Sequence, residues 1–285
     1  MDGEARELSR SNDPSAILNS QFPILNSGRP IGVFDSGVGG LTVFREIARA
    51  LPREPLVYLG DSARVPYGTK SPATVVRYAL EAAAHLMSRN VKMLVVACNT
   101  ATAAALPVLQ ERLSIPVIGV VEPGARAAVA RTSGIVGVVA TEGTVRSKAY
   151  TNAIRALDPA ITVIESAAPL FIALAEEGWA NTHVAREVAE IYLEPLIDAG
   201  IDTLVLGCTH YPILRGTIEQ VVGESVQIVD SAETTAQVVL DALGPSAGVA
   251  DPVHHFLVTD AEERFRRIAG EFLESDIEHL ELVTL

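Results

Sequence analysis

Cys98 and Cys208 are the only two cysteines in the chain. Each ends an apolar, strand-like run and is followed by small polar residues, in ACNTATAA and GCTHYPIL. Two thiols are too few for an all-cysteine zinc or iron–sulfur site. A site built from Cys98, Cys208 and His210 lacks the short spacings that metal ligands usually show, so no metal is expected. A disulfide is not expected in a reducing cytoplasm. A free thiol titrates near ~8.5, and a helix N-terminus or a cation enlarges its thiolate fraction. Two thiols facing each other across a small ligand can serve as base and acid on opposite faces of one carbon. Stereochemical inversion needs that arrangement, because one group removes a proton and the other delivers one from the far side. Asn99, Thr100 and Thr209, with the amides that open a helix, can hold a carboxylate without a formal cation. His210 is placed to tune Cys208 or to donate toward the ligand.

A lone cysteine at the end of a buried strand is ordinarily a small apolar filler. Two cysteines at matching places of a repeat, each with polar neighbours, favour chemistry. Asp35-Ser36-Gly37-Val38-Gly39-Gly40 is a glycine-rich strand-to-helix turn that fits neither the dinucleotide fingerprint nor the P-loop. It brings backbone amides close to a ligand, with Asp35 as an orienting acceptor, or else is a plain tight turn. Val65-Pro66-Tyr67-Gly68 offers a hydroxyl and an amide at the mouth of a cleft, although such a stretch is more often an ordinary loop. His254 and His255 read as structural, and Glu176-Glu177-Gly178-Trp179 reads as a solvated helix end.

These residues need a frame. Short apolar strands are expected at 30–35, 56–61, 92–98, 115–121, 134–141, 161–166, 202–208 and 226–231. Helices are expected at 41–51, 78–89 and 101–113, and a further helix over APLFIALA. Strand and helix alternate as in a doubly wound α/β sheet. The pattern restarts in mid-chain: GVFDSGVGG and GVVATEGTV both put a small-residue turn after a strand, and the cysteines recur 110 residues apart. The expected fold is therefore α/β, two similar doubly wound lobes forming a pseudo-repeat, with the active site in the cleft between them. The expected division is an extension over 1–29, a first lobe of 30–122 plus 231–285, and a second lobe of 123–230. Ligands bind such sheets at the carboxyl ends of their strands. Asp35, Asp61, Cys98 and Cys208 all stand there and are expected to converge on one cleft.

The composition suits that reading. The chain has 285 residues, 48% hydrophobic and 20% charged, with a formal charge of −13. Such a charge argues against a nucleic-acid partner. No apolar run approaches the ~20 residues needed to cross a bilayer, and the N-terminus does not read as a secretory signal, so a cytoplasmic protein without a membrane partner is expected.

Taken in order, FDSGVGGLTV, GDSARVPYGTKS, ACNTATA and GCTHYPIL closely resemble the glutamate racemase family, cofactor-independent isomerases of peptidoglycan precursor synthesis. The resemblance covers about residues 30–285. It implies that Cys98 handles the α-proton of the D-enantiomer and Cys208 that of the L-enantiomer. It also implies that Asp35 and His210 assist the thiols, and that Asp35, Ser36, Tyr67, Gly68, Asn99, Thr100, Thr209 and His210 contact glutamate. The family's assisting glutamate falls in LAEEG, with Glu177 favoured over Glu176. No cofactor is implied, and a homodimer is suggested. The alternatives are an aspartate racemase, which shares the two-thiol logic, and a two-lobe amino-acid-binding protein that turns nothing over.

Overall fold

The computed structural model describes residues 28–244 and 248–285, so almost all of the expected extension over 1–29 lies outside the described residues. The described chain forms two parallel sheets. The first contains β1 (Ile31–Asp35), β2 (Leu56–Gly60), β3 (Met93–Val96), β4 (Val117–Gly119), β9 (His255–Val258) and β10 (Leu280–Leu282). The second contains β5 (Ile135–Ala140), β6 (Thr162–Ala167), β7 (Thr203–Gly207) and β8 (Gln227–Asp230). Their strand orders are β10-β9-β2-β1-β3-β4 and β6-β5-β7-β8. The cores β2-β1-β3-β4 and β6-β5-β7-β8 are the same arrangement used twice, which is the pseudo-repeat read from the sequence. β9 and β10 extend only the first sheet, along the free edge of β2.

Central strands buried on both faces read as continuous apolar runs, because helices cover each side. β1, β2, β3 and β7 are buried along their whole length. The helix after β1, α1 (Leu41–Ala50), buries Leu41, Phe44 and Ile47. The helix after β2, α2 (Pro72–Ser88), begins six residues before the apolar periodicity of 78–89. Its start is set by chemistry rather than by hydrophobicity: Ser71 accepts from the Thr74 amide at 3.3 Å, and Pro72 occupies the first turn, where a missing N–H costs nothing. The helix after β3 is α3 (Asn99–Arg112), followed past β4 by α4 (Val121–Arg131).

In the second sheet's half, α5 (Glu142–Ser147) and α6 (Ala149–Leu157) follow β5, α7 (Leu170–Glu176) and α8 (His183–Asp198) follow β6, and α9 (Arg215–Val222) follows β7. The chain then returns through α10 (Ser231–Leu243), whose first turn is capped by Asp230 accepting from the Ala232 amide at 2.7 Å. α10 packs on α1, so the second crossing between the halves is a helix with one face buried and Glu233, Gln237 and Asp241 exposed on the other. The last helix is α11 (Glu262–Leu273).

Candidate active site

Cys98 leaves β3 and caps α3. Its sulfur accepts from the Ala101 amide at 3.4 Å and lies 3.5 Å from the Ser36 hydroxyl. A capping position aims the positive end of the helix at the sulfur. Burial nevertheless dominates: with a contribution from Asp35, it pushes the Cys98 thiol up to about 12, against the pull of Ser36 and Ala101. Cys98 therefore carries its proton at neutral pH.

Cys208 leaves β7 at the matching place in the second sheet, in a different setting. His210 Nδ1 lies 3.9 Å from its sulfur, and His210 Nε2 lies 3.0 Å from Glu176 Oε1. Burial alone lowers an imidazole, but the hydrogen bonds to Cys208 and Glu176 outweigh it and carry His210 up to about 10. The Glu176 carboxyl is itself held below its usual range. Burial acts to raise it, and His210, Arg264 and Arg267 more than reverse that. Arg264, on α11, closes the chain with a 2.8 Å contact to Glu176 Oε2. Cys208 thus faces an imidazolium, a charge partner for a thiolate.

The turn after β1 joins these two environments. A Cβ on Gly39 would lie 2.4 Å from both His210 Nδ1 and Thr209 Oγ1, and one on Gly40 2.4 Å from the Asp35 Cβ. The glycines are there because backbone must pass where a side chain has no room. Two residues after Gly40, the Thr42 hydroxyl donates to the Thr209 carbonyl at 2.9 Å. The turn and the first residues of α1 therefore touch Cys98 through Ser36 and the Cys208 segment through Gly39 and Thr42. Asp35, fully buried, accepts from the Gly37 amide at 2.9 Å through Oδ2, while its Oδ1 has no hydrogen-bond partner among the described residues. Burial raises this carboxyl above the usual range, more than His210 and the amides of Gly37, Gly40 and Ser36 lower it.

The remaining expected residues divide. Asn99 and Thr100 stand at the start of α3 and face the other half of the molecule. Asn99 Oδ1 accepts from the Tyr150 hydroxyl at 2.7 Å, and its Nδ2 is buried without a partner among the described residues. The Thr100 hydroxyl lies 2.9 Å from that of Thr141 and 3.3 Å from that of Thr144, which are themselves 3.0 Å apart. Gly68 packs its backbone on Thr141 and Gly143. The Tyr67 hydroxyl, expected to be a ligand donor, is spent on Asp61 instead, which leaves only its backbone amide for a ligand. Asp61, expected to join the cleft, also has its carboxylate satisfied. Besides Tyr67 it accepts from Arg64 at 2.6 Å and Thr259 at 2.9 Å, so it fastens the loop. Glu177, favoured above, is exposed at the end of α7, and Glu176 meets His210 instead. Successive residues on a helix end point about 100° apart, so only one of an adjacent pair can face inward.

Sequence reading missed Thr141, Thr144, Tyr150 and Arg264. A signal existed for the two threonines: ATEGTV is the second lobe's counterpart of FDSGVG, so the turn after β5 should reach the cleft as the turn after β1 does.

The model of the Asp/Glu/Hydantoin racemase family matches residues 31–239. The chain belongs to that family. Among curated racemases it is 55% identical over 252 residues to glutamate racemase of Geobacter metallireducens, covering 86% of this chain and 93% of that one. A glutamate racemase of Bacillus anthracis, of known crystal structure, superposes with a TM-score of 0.86 at 44% identity, covering 90% of this chain and 97% of that one. Glutamate racemase of Francisella tularensis, solved in complex with D-glutamate, gives a TM-score of 0.84 at 38% identity, covering 90% and 98%. The two-lobe racemase architecture is thus shared over nearly the whole described chain, and the pseudo-repeat places one cysteine at the same position of each racemase lobe.

Proposed function

We propose that the chain interconverts L- and D-glutamate by moving protons between two sulfurs and the α-carbon, supplying D-glutamate for peptidoglycan synthesis. The observation that carries this reading is the asymmetric pair: Cys208 beside a His210 held protonated by Glu176, and Cys98 buried with its proton on. From L-glutamate, the Cys208 thiolate takes the α-proton, and the Cys98 thiol gives its own to the opposite face. D-glutamate leaves with Cys98 as thiolate and Cys208 as thiol, the form that the reverse reaction needs. Each conversion puts one proton on Cys208 and takes one from Cys98, and exchange of the two thiol protons with solvent returns the enzyme to its starting form for the next L-glutamate. The α-carbon of an amino acid is a weak acid, so the cleft must stabilise a carbanion-like transition state with fixed donors and little water. Asn99 Nδ2, the hydroxyls of Thr100, Thr141 and Thr144, and the amides at Ser36, Gly68 and Thr209 are suited to the carboxylates. Asp35 Oδ1 is suited to the ammonium.

The lobes divide at 122/123 and 230/231 on this reading, and their relative movement opens and closes the cleft. Among the described residues no helix is long and apolar enough to cross a membrane, and the reading places the enzyme in the cytoplasm, as a homodimer.

The deciding experiment incubates the protein with L-glutamate or L-aspartate in heavy water. Deuterium appearing at the α-carbon of glutamate, with formation of D-glutamate, is expected, and Cys98→Ser and Cys208→Ser should each abolish racemisation without unfolding the protein. Faster exchange into aspartate assigns the other substrate. Binding with lobe closure but no exchange into either makes the protein a binder rather than an enzyme.

A further inference from the structure

Tyr150, on α6, is buried to 1% exposure and stands where the two cysteine segments come together. Its ring lies in a slot made by two glycines. A Cβ on Gly124 would approach Cε1 to 3.2 Å, and one on Gly207 would approach Cε2 to 3.0 Å. Gly207 is the residue immediately before Cys208. At the other end of the ring, the hydroxyl donates to Oδ1 of Asn99, the residue immediately after Cys98. The phenol thus spans from the backbone behind one thiol to the side chain beside the other.

Asn99 has a specific need for such a partner. A carboxamide is almost symmetric in shape but opposite in polarity at its two ends, and a half-turn exchanges a donor for an acceptor. A buried amide left to rotate would present its oxygen to an anionic ligand as readily as its NH₂. With Oδ1 held by Tyr150, the other end is Nδ2, which is buried and has no partner among the described residues. Burial, with Cys208 adding, raises the Tyr150 phenol far above its usual range against the pull of Ser231, so the hydroxyl keeps its proton and remains a donor.

We propose that Tyr150 is a positioning residue for racemisation: reaching across the cleft to the amide oxygen of Asn99, it fixes the carboxamide with its NH₂ toward the substrate carboxylate. The proposal rests on the glutamate-racemising reading above. It also couples the lobes, because the amide is oriented only while α6 and α3 are together. Substrate affinity and lobe closure then depend on one hydroxyl that touches neither the α-carbon nor a thiol.

The test is a double-mutant cycle on full-length protein, with Tyr150→Phe, Asn99→Ala and their combination assayed for kcat and KM on L- and D-glutamate. Tyr150→Phe keeps the ring in its slot and removes only the donor. The expected result is a KM increase of about tenfold for both enantiomers with a smaller change in kcat, the scale of one lost hydrogen bond. In the Asn99→Ala background, adding Tyr150→Phe should change kcat/KM by less than about twofold, because the two residues act as one. Losses that multiply, or a Tyr150→Phe enzyme with wild-type kcat/KM, overturn the proposal while leaving the racemase reading intact. If Tyr150→Phe does not fold, Asn99→Asp decides: it keeps an acceptor for Tyr150 but no NH₂, and wild-type KM in that variant overturns the proposal. A wild-type protein that exchanges no α-proton overturns the underlying reading instead.

Discussion

His210 is held at both ring nitrogens, by Glu176 at 3.0 Å on Nε2 and by the Cys208 sulfur at 3.9 Å on Nδ1. The imidazole therefore transmits the charge of a largely buried carboxylate to a buried sulfur. Replacing Glu176 by Gln keeps a hydrogen-bond partner but removes the charge that supports the imidazolium. The expected result is a fall in kcat of about 10²-fold, at the low end of what general acid–base groups supply. Glu177→Gln should stay within about twofold of wild type, the behaviour of an exposed surface change.

The same pair sets a pH dependence whose sign is fixed. His210 is raised to about 10, so its protonated form, and the support it gives Cys208, persists through neutral pH and is lost as pH rises through that value. Wild-type kcat/KM should therefore hold through neutral pH and fall on the alkaline side. In Glu176→Gln the imidazole loses a stabilising charge and gives up its proton earlier, so the alkaline limb should move to lower pH. A limb that stays in place would show that Glu176 acts only through packing.

Asp35 gives a linkage of the same sign, with an effect on the fold rather than on Cys208. Its carboxyl is raised by burial, so the folded state favours the neutral acid. Stability from this group is fully present below the ordinary carboxylate range and is lost as pH rises through the raised value. Above the ordinary carboxylate range, where the unfolded chain ionises this group freely, burying Asp35 is a cost to the fold. Asp35→Asn keeps an oxygen for the Gly37 amide and removes the charge, so it should raise the melting temperature at pH 8 by roughly 2–4 °C per kcal/mol relieved. It should leave melting at pH 3 nearly unchanged and reduce turnover sharply. Thermal melts at the two pH values, run beside the racemisation assay, check this stability–activity exchange.

The frame of the site was legible in the sequence, because apolar runs bounded by glycine turns report strands directly and the cysteines mark equivalent strand ends. β1 and β5, β3 and β7 lie where their periodicity puts them. What escaped was information carried only by tertiary contact. β10 is three residues long, too short to show a pattern, and exists because β9 offers it an edge. The choice between Glu176 and Glu177 depends on where α7 stops turning, and nothing in an adjacent acidic pair encodes that. Tyr67 looked available because its loop was expected at the cleft mouth, yet Asp61 six residues earlier takes its hydroxyl. Tyr150 meets Asn99 from 51 residues away in the other half of the molecule, a distance no local pattern reports.

Gly39 offers a steric test of the crossing between the two cysteine environments. A methyl group there would stand 2.4 Å from His210 Nδ1, closer than any real contact, and the neighbours are a buried imidazole and a buried threonine. Gly39→Ala should cost about 1–3 kcal/mol of stability, the usual range for overpacking. Turnover should fall further than stability does, since the displaced ring is the one that serves Cys208. Urea melts and kcat measured on the same preparation separate the two losses.

The two thiols should also differ chemically. At pH 8, a Cys98 pushed up to about 12 is a thiolate in roughly one molecule in 10⁴, because each pH unit below the pKa is a tenfold loss. Cys208 has an imidazolium for a neighbour, and the thiolate is the form that alkylating agents attack. The two cysteines are similarly buried, 6% and 5% exposed as residues, so burial does not favour either one. Iodoacetamide at pH 8 should therefore label Cys208 first, by at least about tenfold over Cys98, as read from the masses of the two cysteine peptides over time. Glutamate should protect both sulfurs if they flank its α-carbon. Glu176→Gln should slow labelling of Cys208 while leaving Cys98 unchanged, since only the former depends on His210. Equal labelling of the two cysteines in wild type would remove the asymmetry on which the assignment of base and acid rests.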